Sequence, residues 1–100
     1  MSVIRPSSIA DLLEPSGLSG GECRAIHDEA YRLMVGDRAI GVGQDEDEDG
    51  IKCVYVLDVR GNRYTVVRNA GAYLLLDPAL GIIEASKRFD DVLEVLRNAV

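Results

Sequence analysis

From residue 39 to residue 86 the apolar side chains keep a period of two, and Gly, Asn, Asp and Pro interrupt them at short intervals. A period of two belongs to strands, and short strands cut by turn residues belong to an antiparallel meander. Residues 51–60 are the clearest strand, with Cys53, Tyr55, Leu57 and Val59 on one face and Val54 and Val56 on the other. Gly61-Asn62 reads as a two-residue hairpin connection, because both residues tolerate positive φ. Residues 63–68 return, Asn69-Ala70-Gly71 turns, and residues 72–76 follow. Asp77-Pro78-Ala79-Leu80-Gly81 leads into a last strand at residues 82–86. A strand at residues 39–44 precedes them, weakened by Gly41 and Gly43.

Outside this stretch the period is helical. Ser7 or Ser8 caps a short helix at residues 9–14, which Pro15 stops. Ser19-Gly20-Gly21-Glu22 fits a capping box, in which Ser accepts from the third amide and Glu reaches back. The helix it opens runs to Val35, with Gly36 as its stop. Cys23, Ile26, Ala30, Leu33 and Met34 give it one apolar face. A final helix spans residues 90–99, capped by Asp90 or Asp91, with Asp91 and Glu94 as a second capping box. Its stripe is Val92, Leu93, Leu96, Ala99 and Val100. The predicted class is α+β: N-terminal helices, a four- to five-stranded antiparallel meander, and a C-terminal helix. Residues 1–100 form a single domain, with 1–8 as a loose lead.

Two strands are apolar on both faces: residues 53–57, and Tyr73-Leu74-Leu75-Leu76. An antiparallel sheet with one wet face alternates apolar with polar. Both faces are therefore expected to be covered. Three helices divided between the two sides would do it, or helices on one side and a second copy of the chain on the other.

Net charge is −6, with eleven acids against four bases in residues 1–50 and six against seven in residues 51–100. Five acids sit together in Asp45-Glu46-Asp47-Glu48-Asp49. This balance argues against direct nucleic-acid binding, which needs a basic stripe. No apolar run approaches the length of a membrane span, and the N-terminus lacks a signal-peptide pattern. The expected compartment is the cytoplasm, with Cys23 and Cys53 as reduced thiols.

The acidic run with Gly50 fits the opening D-x-D-x-D-G of a calcium loop, with Asp45, Asp47 and Asp49 as ligands. Position twelve of such a loop should be Glu and is Val56, so the last ligand would come from elsewhere, such as Asp58. The plainer reading is a solvated hairpin loop. Cys23 and His27, one helical turn apart, could hold zinc together with Cys53, although the spacing is no zinc signature. A Cys23–His27 nucleophilic dyad would need an exposed thiol, and Cys23 falls on the apolar stripe. Tyr55, Tyr64 and Tyr73 lie on strands, and Arg60 and Arg63 flank the central hairpin. Tyr and Arg are favoured at protein interfaces, so these five are the candidate partner-binding residues.

The sequence therefore reads as a small protein-interaction or regulatory module that acts by contact with another protein, and a homodimer is one form of it. No catalytic constellation is found. The alternatives are a calcium-binding module through the acidic run, and an acidic inhibitor or mimic acting on a nucleic-acid-handling protein.

Overall fold

A computed structural model describes residues 16–46 and 49–100 of the chain. The helix expected at residues 9–14 and the middle of the acidic run lie outside the described residues.

Helix α1 spans Gly20–Val35 and opens on the expected capping box. The Glu22 amide donates to the Ser19 hydroxyl at 3.1 Å, and the Ser19 amide donates to Glu22 Oε1 at 2.9 Å. The second oxygen of Glu22 accepts the hydroxyl of Tyr73, far along the chain. One carboxylate thus caps the helix and fastens it to the sheet. Burial pushes this carboxyl up, but the hydrogen bonds from Ser19 and Tyr73 outweigh burial and hold it below its ordinary range. The helix ends as predicted, although the left-handed residue is Asp37 (φ 59°) and Gly36 keeps φ −85°. The Arg38 amide then reaches Leu33 O at 2.8 Å and the Asp37 amide reaches Met34 O at 3.1 Å. This is a Schellman closure, with the short polar Asp in place of Gly.

Five strands follow: β1 Ala39–Glu46, β2 Lys52–Asp58, β3 Arg63–Asn69, β4 Ala72–Leu76 and β5 Ile82–Ser86. They form one antiparallel sheet in the order β1-β2-β3-β4-β5. Strand β1 runs two residues beyond the expectation, so Asp45 and Glu46 are strand residues opposite Cys53 and Lys52. Pairing with β2 extends into the acidic run because neighbouring carboxylates project alternately to opposite sides.

The connection from β2 to β3 occupies residues 59–62 and is longer than the predicted Gly61-Asn62 pair. Asp58 builds it. Its Oδ1 accepts the amides of Arg60 and Asn62, both at 2.9 Å, and Gly61 takes φ 83°. The β4–β5 hairpin repeats the device. Asp77 Oδ1 accepts the amides of Ala79 at 2.9 Å and Gly81 at 2.8 Å. The left-handed residue, three positions after each Asp, is Gly61 in one hairpin and Leu80 (φ 68°) in the other.

The core lies on one side of the sheet. Val54 stands opposite Val66, and Val66 opposite Leu75, all fully buried. Ile26, Ala30 and Leu33 of α1 pack there with Val92 and Leu96 of the second helix. Burying each large aliphatic side chain contributes about 2 kcal/mol. That helix, α2, spans Phe89–Ala99. It begins one residue early because the Phe89 ring meets Tyr73 edge-on at 5.4 Å. The expected cap and box at Asp90, Asp91 and Glu94 do not form: Arg88 is the cap residue, and the Asp91 carboxylate accepts the Ser86 hydroxyl at 2.7 Å. Both described helices share one face; of the three helices expected to cover the sheet, the one at residues 9–14 lies outside the described residues.

Where the helices meet, Glu29 is only 2% exposed. It accepts Arg97 at 2.8 Å and Arg32 at 3.1 Å. The Arg97 hydrogen bond is the main cause of its lowered pKa; Arg32 adds to it and burial opposes it. Arg38 caps α2 from outside, donating to Arg97 O at 2.6 Å and Val100 O at 2.7 Å.

Two outcomes follow from these contacts. Leu80→Gly should raise the unfolding free energy by about 0.5–1 kcal/mol in urea titration, since Gly carries no left-handed penalty; a loss would show that Leu80 sits there without strain. Because the folded pKa of Glu29 is depressed, its contribution is present above the unfolded value and is lost as pH falls through the folded one. Glu29→Ala should therefore cost about 2 kcal/mol at neutral pH, and that gap should narrow in urea titrations run progressively below pH about 4.

Candidate functional site

The other face of the sheet is covered by neither described helix. Register fixes what it carries. Tyr55 stands opposite Thr65, and Thr65 opposite Leu76, which pairs with Ile82. Cys53 stands opposite Val67, and Val67 opposite Leu74, which pairs with Ala85. Leu57 completes the set beside Gly41. Most of these side chains are half-buried. Ile82, on the edge strand, is 62% exposed. We refer to this surface as the open face.

A layered arrangement closes one side of it. Gly43 has no side chain, and the Tyr55 ring lies over it, so a Cβ on Gly43 would overlap the ring. The Arg63 guanidinium lies over the same ring, 3.7 Å from its centroid. A cation over an aromatic face is attracted by the ring quadrupole. The far end of Arg63 meets Asp45 Oδ2 at 3.4 Å. Backbone, ring, cation and carboxylate thus form one stack across β1, β2 and β3.

Three of the sequence candidates meet here: Tyr55, Arg63 and Asp45. The remaining candidates lie elsewhere. Tyr64 is opposite Val56 and packs against the core. Tyr73 is 5% exposed, bonded to Glu22, with Arg68 over its ring at 4.8 Å. It is a core residue and presents nothing to a partner. Arg60 is exposed in the β2–β3 hairpin.

Of the proposed calcium ligands, Asp45 is engaged by Arg63, Asp47 lies outside the described residues, and Asp49 is exposed in the turn before β2. Asp58, the suggested outside ligand, is held by the amides of its own hairpin. Among the described residues no group of three or more His, Cys, Asp or Glu converges as a metal site would. The zinc reading breaks on alternation. Cys23 packs into the core on the helix side, whereas Cys53 shares the open face with Val67. Cys23 and His27 line a cleft of about 380 Å³ with Leu18, Gly20, Arg24, Gln44 and Lys52. Burial pushes the Cys23 thiol up despite nearby Lys52, which keeps it protonated and a poor nucleophile.

Sequence reasoning missed Gly43. Glycine inside a strand signals close approach of another group, and the β1–β2 register makes that group Tyr55. The chain matches no family model, no curated protein and no solved structure.

Gly43→Ala should displace the Tyr55 ring and cost about 2 kcal/mol of stability. In a Tyr55→Ala background the same substitution should cost about 0.5 kcal/mol or less. A double-mutant cycle by chemical denaturation checks this, and equal costs in both backgrounds would disprove the overlap.

Proposed function

We propose that this chain is a protein-interaction module that works by contact through the open face of its sheet. The observation that carries the reading is the one-sided placement of both described helices, which leaves Val67, Leu74, Leu76 and Ile82 on a face that neither of them covers. A contiguous apolar surface of this kind on a small domain marks an interaction site. Tyr55 and Arg63 supply the aromatic and guanidinium groups that interfaces favour. Asp45 is held by Arg63 within a strand, so the calcium reading draws less support. A protonated, buried Cys23 supports contact over nucleophilic chemistry in the cleft. Cys23 and Cys53 are not joined in a disulfide, which accords with a reducing compartment such as the cytoplasm.

If the open face awaits a partner, polar side chains there are harmless to the isolated chain. Val67→Thr combined with Leu74→Gln, measured at high dilution, should change the unfolding free energy by no more than about 1 kcal/mol. A loss of about 3 kcal/mol or more would mean that the face is core inside one chain, and the contact reading would fail.

A further inference from the structure

We infer that the cleft between α1 and the paired ends of β1 and β2 binds a small organic phosphate monoester. The helix wall comes from spacing. Gly20, Cys23, Arg24 and His27 stand three and four residues apart, so they share one face of α1. The sheet wall comes from alternation. Val54 is fully buried on the helix side. Lys52, two residues before it, and Gln44, opposite it, project on that same side. The space between the walls is about 380 Å³, within the range of small-molecule sites.

Charge is the first argument. The chain has 17 acids against 11 bases, yet no carboxylate lines this cleft. Its polar side chains are the Arg24 guanidinium, the Lys52 ammonium, the Gln44 amide and the His27 ring. Among the described residues, Arg32, Arg63 and Arg97 are paired with carboxylates, and Arg24 and Lys52 are not. Neighbouring acids are directed elsewhere. Glu22, in the first turn of α1, accepts Ser19 and Tyr73. Asp45 and Glu46 line an adjoining cavity, and Asp45 meets Arg63. Burial raises the Cys23 thiol and the Lys52 charge acts against it, so the ammonium is within reach of the cleft floor. Two fixed cations match a dianion with several acceptor oxygens. A guanidinium forks onto two phosphate oxygens, and a lysine adds a point charge.

The floor is the second argument. Leu18 and Cys23 are each 8% exposed, so a small apolar surface lies beneath the donors. Inorganic phosphate would leave that surface wet, and the organic group of a monoester covers it. Gly20 keeps one end of the cleft open, because the position its side chain would take is empty space.

Phenyl phosphate is the probe. Amide NMR spectra of the full chain, titrated to about 20 mM at constant ionic strength, should show saturable shifts centred on Gly20, Cys23 and Lys52, with a dissociation constant of about 1 mM or below. Phenol should bind at least about tenfold more weakly. Arg24→Gln combined with Lys52→Gln should raise the phenyl phosphate constant at least about tenfold. Both side chains are exposed, so the remaining amide peaks should stay in place. Arg24→Gln alone should raise it at least about threefold, and serves if the double variant does not fold. Arg60→Gln with Lys87→Gln removes the same charge from the β2–β3 hairpin and the end of β5, and should leave the constant unchanged. Equal weakening in the two double variants would mean general attraction to positive charge and overturn the inference. Shifts that do not saturate, or that centre on other residues, overturn it too.

Discussion

Val54, Val66 and Leu75 form a fully buried line across three adjacent strands, and both described helices lean on it. Helix α1 enters the sheet at the β1 edge and α2 leaves it at the β5 edge. Each reaches inward from its own side, and between them they cover one face. That sharing explains why a carboxylate is buried at their junction. Glu29 would be costly there alone, but two guanidiniums satisfy it. The same arrangement leaves the reverse of the sheet to the side chains of Tyr55, Val67, Leu74 and their neighbours.

Several acids of this chain are committed to donors. Glu22 caps α1 and accepts Tyr73; Glu29 joins the helices; Asp58 and Asp77 each organise a hairpin. A carboxylate suits these places because it accepts several N–H groups at once, and a charged acceptor makes the stronger bonds. Net charge alone would describe this molecule as self-repelling. The placement of its acids describes it as held together by them.

Much of the architecture was legible because local rules and tertiary packing agree. The capping box at Ser19 and Glu22, the apolar stripe of α1 and the order of the five strands are all local signals. The misses came where a distant partner decided. Phe89 joins α2 because Tyr73 lies beneath it, and no capping rule contains that contact. The four-residue hairpin at 59–62 depends on Asp58, whose side chain does the work assigned to Gly61 and Asn62. At the candidate site, Tyr55 and Arg63 were chosen by residue type, and their stacking on Gly43 required the register of three strands. Tyr73 was chosen by the same reasoning and belongs to the core, because alternation along β4 places it beside Leu75.

The junction between the helices also bears on how the chain folds. Glu29 and Arg97 are 68 residues apart in sequence, and Arg38 and Val100 are 62 apart. Joining such distant groups in a bare chain has an entropic cost that grows with the length of the intervening loop. The meander between them shortens that loop once it is formed, since each of its hairpins closes over a few residues. Contacts between the two helices are thus the most distant in sequence, the kind that slows folding. A fragment ending before α2 would lack both Arg97 and part of the cover of Val66 and Leu75, so helix α1 depends on a helix that lies beyond the whole meander.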